Sequence, residues 1–118
     1  MKTSEPFEIT AFGRKHTVRL CLERYAADNS LAIVVEEKVN DELGEWYEPF
    51  SDLTKNLGIP LTVDDCAFVK TYGENEGWAR EVADRFGTGT DTGFSASSGY
   101  CTFPLYRFDL SKFTGTEE

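Results

Sequence analysis

Positive charge is scarce in this sequence: 12 lysine and arginine side chains stand against 21 aspartates and glutamates, a formal net charge of −9. Non-specific binding to a phosphate backbone needs a clustered positive face, so direct nucleic-acid binding is not expected. Histidine occurs once, as His16, and cysteine only at Cys21, Cys66 and Cys101. The cysteines are far apart, odd in number and without a CxxC pair, which signals neither a zinc site nor a disulfide framework and favours a reducing compartment. A metal site on His16 would need several more ligands from distant residues, so no metal and no cofactor is expected. No apolar run approaches the length of a membrane span, and Met1-Lys-Thr-Ser-Glu-Pro6 lacks the apolar core of a signal peptide. The expectation is a soluble, cytoplasmic chain without a membrane partner.

What is present is enough for one core. The 118 residues are 40% hydrophobic and include nine Phe, five Tyr and two Trp. That length suits a single domain over 1–118, with short flexible ends at about 1–5 and 113–118. One strong helix is legible, over about 75–86. At ~100° per residue, Trp78, Ala79, Val82, Ala83 and Phe86 fall within an arc of about 140° and mark a buried face, while Arg80, Glu81, Asp84 and Arg85 lie opposite. Asn75 reads as its N-cap, Glu76 favours the positive end of the helix dipole, Glu81 and Arg85 form an i,i+4 pair, and Gly87 reads as the stop.

The remaining elements are strands. Phe7 and Ile9 alternate with Glu8 and Thr10, Gly13-Arg14-Lys15 is turn chemistry, and a second run from His16 to Tyr25 completes an N-terminal hairpin. In that run Val18, Leu20 and Leu22 share one face, and Cys21 falls on the other, polar one. Leu31 to Val35 is apolar on both faces and reads as a central strand. Asn40 to Gly44 reads as a loop, and Trp46 to Thr54 as a strand in which Pro49 imposes an edge position or a bulge. A long connection over 56–65 leads to a strand at Cys66–Tyr72. Gly87 to Gly99, rich in Gly, Ser and Thr, reads as a long loop, and Tyr100 to Leu110 as the last strand. Together these predict an α+β domain: a five- or six-stranded, mainly antiparallel sheet with the one helix packed on one face.

Several strings in this order resemble a known family: Leu31-Ala-Ile33, Glu48-Pro49, Leu53-Thr54, Asn56-Leu57, Thr92-Gly93, a proline in the last strand and, most specifically, Phe68-Val-Lys-Thr-Tyr-Gly-Glu-Asn-Glu76. The chain is similar over roughly residues 16–110 to a family of small single-domain proteins of unknown function. Its members occur in bacteria, many gut-associated, and on their phages and conjugative elements. The resemblance implies a genomic setting and carries no catalytic motif. The acidic loop from Asp41 to Trp46 is longer here than the family pattern.

No residue cluster signals catalysis. The glycine-rich stretch follows a helix instead of opening one, and it lacks the lysine of a P-loop. Glu36 and Glu37 are strand neighbours and so face opposite ways, and Glu74 and Glu76 are accounted for at the helix start. His16 reads as an exposed hairpin residue, and Cys66 and Cys101 as buried small hydrophobes. The feature that remains is acidic: from Glu36 to Asp52, seven carboxylates are opposed in sequence only by Lys38. Glu36, Glu37, Asp41, Glu42, Glu45 and Glu48, with Trp46 and Tyr47 as aromatic anchors, form the candidate surface for a basic protein partner. Arg14, Lys15, Arg19 and Arg24 cluster on the N-terminal hairpin, which would polarise the molecule and allow the two patches to meet in a homodimer. The leading functional expectation is therefore a non-enzymatic acidic interaction module, an accessory of a bacterial genome or mobile element, with an anti-defence inhibitor as its concrete form. The alternatives are a ligand-binding protein or enzyme with a site under the Gly87–Gly99 loop, using Asp91 or Tyr100, and a structural subunit of a homo-oligomer.

Overall fold

The computed structural model describes residues 2–61, 63–85 and 89–116. Its strands are β1 (Lys2–Thr3), β2 (Phe7–Ala11), β3 (Arg14–Arg24), β4 (Leu31–Asp41), β5 (Gly44–Asp52), β6 (Thr54–Lys55), β7 (Cys66–Val69), β8 (Gly89–Ser98), β9 (Cys101–Phe108) and β10 (Gly115–Thr116). All pairings are antiparallel. With one α-helix among the described residues, the α+β class holds. One sheet of five or six strands is the sequence expectation; instead the strands divide between a six-stranded sheet, ordered β10-β1-β3-β4-β5 with β2 also on β3, and a four-stranded sheet ordered β6-β7-β9-β8.

The division has a local cause in β5. Pro49 removes a ladder donor, and the pairing with β4 shifts register between Val35 and Glu36, leaving Phe50 as an extra residue that bends the strand. The chain then changes sheets at the fully buried Leu53. Its N–H donates to the Ile33 carbonyl (3.0 Å) and its carbonyl accepts from Lys70 N–H (2.7 Å), so one residue ties β4 to the end of β7. The Thr54 hydroxyl oxygen accepts from Ile33 N–H at 3.0 Å, a second link between the sheets. One apolar cluster spans both: Leu20, Ile33 and Val35 from the first sheet meet Val69, Tyr106 and Phe108 from the second.

The helix α1 (Ala79–Arg85) starts later than the sequence predicts. Gly77 has φ +89° and Gly73 φ +64°, left-handed values that interrupt a right-handed helix, so residues 73–75 form only a single 3-10 turn. Trp78, Ala79, Val82 and Ala83 are buried and Arg80 and Glu81 exposed, as the wheel requires. Phe86 and Gly87, named above for the buried face and the stop, lie outside the described residues. So do the side chains of Asp84 and Arg85.

Asn75 is not an N-cap. It is fully buried and lies where β5 and the end of β7 pass each other: its amide donates to the Asp52 carbonyl (2.8 Å) and the Lys70 carbonyl (3.1 Å) and accepts from the Ser51 hydroxyl.

Within the described part of the two ends, Lys2 and Thr3 pair with both β3 and β10, the Ser4 hydroxyl oxygen accepts from Leu20 N–H (2.9 Å), and Phe113 is buried in the core. Two further expectations are corrected. Residues 89–98 of the expected glycine-rich loop form β8, because β9 supplies the pairing that their composition does not advertise. Cys21 is buried, within a strand flanked on both sides by β1 and β4, and Cys101 only half-buried, at the end of a two-stranded arm.

Candidate functional site: the acidic hairpin

The acidic residues lie on the hairpin of β4 and β5, closed by the turn residues Glu42 and Leu43. Antiparallel partners share a face, so the register sorts the candidate residues. Val39 pairs with Trp46 and Glu37 with Glu48 on the face continuous with Ile33 and Val35, which turn to the core. Glu36, Lys38, Glu45 and Tyr47 lie on the opposite face. The sequence candidates are thus divided between two faces and a tip, and do not form one patch.

On the outer face the charges are largely answered within the chain. Arg19, which pairs across β3 and β4 with Glu36, donates to its carboxylate from Nη2 at 2.8 Å and Nε at 2.9 Å. The same guanidinium lies 3.6 Å above the Tyr47 ring, a cation–π contact in a partly desolvated setting. Lys38 Nζ stands 3.0 Å from Glu45.

On the core-side face His16 is buried, not exposed as the sequence implies, with only 5% of its surface accessible. Its Nδ1 is 2.5 Å from Glu37 Oε2 and its Nε2 is 3.1 Å from the Ala11 carbonyl oxygen. Both ring nitrogens thus face oxygen atoms, and Glu37 and Ala11 fix the ring between them. Rings continue from there: His16 lies 5.0 Å from Phe50, Phe50 5.4 Å from Trp78 and 6.1 Å from Phe12. An aromatic path therefore runs from the core to Phe12, which is 65% exposed in a turn with φ +54°.

Of the candidate carboxylates, Asp41, Glu42 and Glu48 have no ion-pair partner among the described residues. Asp41 accepts from Leu43 N–H (2.7 Å) and so tightens the turn; Glu48 accepts from the Trp46 indole N–H (3.0 Å). Beside them Leu43 is 91% exposed and Trp46 39% exposed. Sequence reasoning missed Leu43 and Phe12; the available signal was a lone leucine inside an acidic turn and a phenylalanine directly before a turn glycine. The basic residues do not form an opposing pole. Because β3 runs antiparallel to β4, Arg14 and Lys15 at its start lie at the same end of the sheet as Asp41, whereas Arg24 at its far end donates to the Asp64 carbonyl (2.8 Å).

The residues named for a ligand site beneath a loop are otherwise engaged. Asp91 accepts from Arg80 (3.1 Å) and from Gly93 N–H, and Tyr100 is fully exposed at the β8–β9 turn. The Gly93 amide, with the Arg80 guanidinium, holds the Asp91 carboxyl below the usual carboxylate range. A groove of about 760 Å³ opens elsewhere, between the 28–31 turn and the 58–66 segment. Two of its three carboxylates are tied up: Asp28 accepts from Ser30 and Asn56, and Asp65 faces Arg107 at 3.6 Å. Burial pushes the neighbouring Cys66 thiol above its ordinary value of 9.0, unlike a nucleophile poised as thiolate. No described helix is long and apolar enough to cross a membrane, and no group of three or more His, Cys, Asp or Glu among the described residues is placed to hold a metal ion.

The family model of a domain of unknown function, DUF4313, matches residues 19–117. The chain belongs to the DUF4313 family. That match takes in the four-stranded sheet, the later part of β3, all of β4 and β5 with the acidic tip, and the Phe68–Glu76 string; β1, β2, Phe12, Arg14, Lys15 and His16 lie before it. No curated protein and no solved structure matches the chain.

Proposed function

We propose that this DUF4313 protein is a non-enzymatic interaction module that docks, through the tip and core-side face of the β4–β5 hairpin, on a basic, nucleic-acid-handling protein. The observation that carries the reading is the tip itself: Asp41, Glu42 and Glu48, which have no ion-pair partner among the described residues, surround the exposed Leu43 and Trp46. Charges of this kind steer encounter, and an aromatic with an aliphatic neighbour supplies the desolvated centre that an interface needs. Glu36, Glu37, Glu45 and Tyr47 have a different part in this reading. Their charges and ring are engaged by Arg19, His16 and Lys38, so they stiffen the hairpin that presents the tip. The similarity to families carried by phages and conjugative elements makes an anti-defence inhibitor, of anti-restriction or anti-CRISPR type, the concrete form of the proposal.

The test begins with capture from a host lysate on the wild-type chain and on Asp41→Asn/Glu42→Gln/Glu48→Gln. A protein retained by the first and lost by the second is then followed by its association rate at low and moderate salt. The expected result is a rate that falls with salt for wild type and is slower and flatter for the triple variant, while Glu45→Gln, whose charge already faces Lys38, changes it less. Equal rates for wild type and triple variant at both salt concentrations would sink the docking role.

A further inference from the structure

The hairpin of β8 and β9 has a character opposite to that of the acidic one. From Thr92 to Tyr106 the chain carries no Asp, Glu, Lys, Arg or His, although 28% of the whole sequence is Asp, Glu, Lys or Arg. Two large apolar side chains stand in water on this arm: Phe94, 72% exposed, and Tyr100 at the turn. Neither has a role in the fold or in the hairpin site described above.

The arm also ends a sheet. Among the described residues β8 pairs only with β9, so its other side presents main-chain N–H and C=O groups with no strand partner there. Proteins block such edges with short strands, charges, proline or bulges, because an open edge accepts another strand. Each of the other sheet edges among the described residues is blocked in one of these ways. β10 and β6 are two residues long, the five-residue β2 carries the charge of Glu8, and β5 carries Pro49, the Phe50 bulge and the charges of Glu45 and Glu48. β8 has an irregularity between Asp91 and Ser95, and its start packs toward α1, where a Cβ on Gly89 would meet the Ala83 carbonyl at 2.6 Å. Beyond that point, Ser95 to Ser98 is regular strand with neither charge nor proline.

We propose that the β8 edge pairs antiparallel with β8 of a second copy of this chain, joining two four-stranded sheets across a twofold axis. Charge restricts where two copies can meet: two chains of net charge −9 repel one another over most of their surfaces, and this arm is where they approach without like charges. Symmetry is consistent with it, since an edge of small neutral side chains is self-complementary when one strand is turned to run against its copy. Antiparallel pairing of identical strands places the twofold at a residue. With the axis at Ser97, Ser95 to Gly99 of one copy run along the same stretch of the other. Each Phe94 is then carried to the other copy's hairpin tip, where Tyr100 stands, so the exposed aromatics are covered by the pairing that the main chain directs.

Sedimentation velocity over a concentration series reads the outcome. Wild type is expected to dimerise within the range up to about 0.1 mM and to dimerise more tightly as salt screens the like charges. Ser97→Lys, which puts two ammonium groups at the axis on an exposed position, is expected to weaken the dimer at least tenfold with an unchanged circular dichroism spectrum; Ser97→Thr is expected to keep it. Amide hydrogen exchange is expected to slow in β8 as concentration rises. A chain that stays monomeric throughout would overturn the proposal. So would a dimer that survives Ser97→Lys, or one that loosens with salt, which would join the acidic hairpin to basic residues instead.

Discussion

Asn75 offers the sharpest test of how the two sheets are joined. Its side chain is fully buried and each polar atom is used: the amide nitrogen serves the carbonyls of Asp52 and Lys70 at 2.8 and 3.1 Å, and the oxygen takes the Ser51 hydroxyl proton. Asn75→Ala removes both donors and leaves a void in which two carbonyls lose hydrogen bonds away from bulk water. At about 1–3 kcal/mol for each buried group left unsatisfied, the loss is about 3–5 kcal/mol, a large share of the ~5–15 kcal/mol that holds a domain of this size. Asn75→Asp keeps the volume but turns a carboxylate oxygen toward the same carbonyls, and it is expected to cost at least as much, because an unpaired charge is worse in that position than a void. Urea unfolding is the assay. With a slope of ~1–3 kcal/mol per molar, the midpoint should fall by about 2 M for either variant. A shift below ~0.5 M for both would show that water serves these carbonyls and that Asn75 does not lock the junction.

Two further outcomes follow from the packing and the charges. Trp78, buried against Phe50 at an edge-on 5.4 Å, should cost about 3–5 kcal/mol on truncation to alanine, and an unchanged urea midpoint would place it outside the core. Asp28, Asp91 and Asp109 are held below their ordinary 3.8, chiefly by hydrogen bonds from Ser30, Gly93 and Ser111 respectively. A carboxyl lowered on folding stabilises above its unfolded value and loses that contribution as pH falls through the folded one, so the melting temperature should drop below about pH 4, and a profile that stays flat to pH 2 would contradict these contacts.

Much of the fold was legible because alternation and helical period report which way a side chain faces. Val18, Leu20, Ile33 and Val35 are buried where the alternation puts them, and the one helix buries Trp78, Val82 and their neighbours. What pattern does not report is what covers a face from elsewhere in the chain. His16 and Arg19 stand on opposite faces of β3, yet both are shielded, by Phe50 and Glu37 in one case and by Tyr47 and Glu36 in the other. Local chemistry also misled where two rules competed. Asn75 fits a capping consensus, but the left-handed Gly77 two residues later prevents the helix from starting there. The Ser- and Gly-rich residues after α1 read as loop because a strand built from them has little intrinsic preference; pairing with β9 supplies it. The candidate site suffered from the same limit: the six candidate carboxylates looked like one patch, and cross-strand partners left only Asp41, Glu42 and Glu48 among them uncompensated.

Under the two proposals the hairpins divide the modes of contact between them. β5 is bent by the Phe50 bulge and flanked by Glu45 and Glu48, which disfavours strand addition and leaves side chains at the tip to make any docking contact. The β8 arm has no charge to steer a partner and offers main-chain groups instead. The arms belong to different sheets, so pairing through β8 leaves the acidic tip unpaired and presents it twice. Two tips on one particle convert the second docking event into an intramolecular one, and a partner with repeated basic sites is then held more tightly than by either tip alone. Salt acts on the two contacts in opposite directions. It relieves the repulsion between chains that dimerise, and it screens the attraction between the tip and a basic surface. Retention of a captured partner is therefore expected to pass through a maximum as salt rises in wild type and to fall steadily in Ser97→Lys, where only docking remains. Identical salt profiles for the two proteins would show that the arms act independently, with no gain from presenting the tip twice.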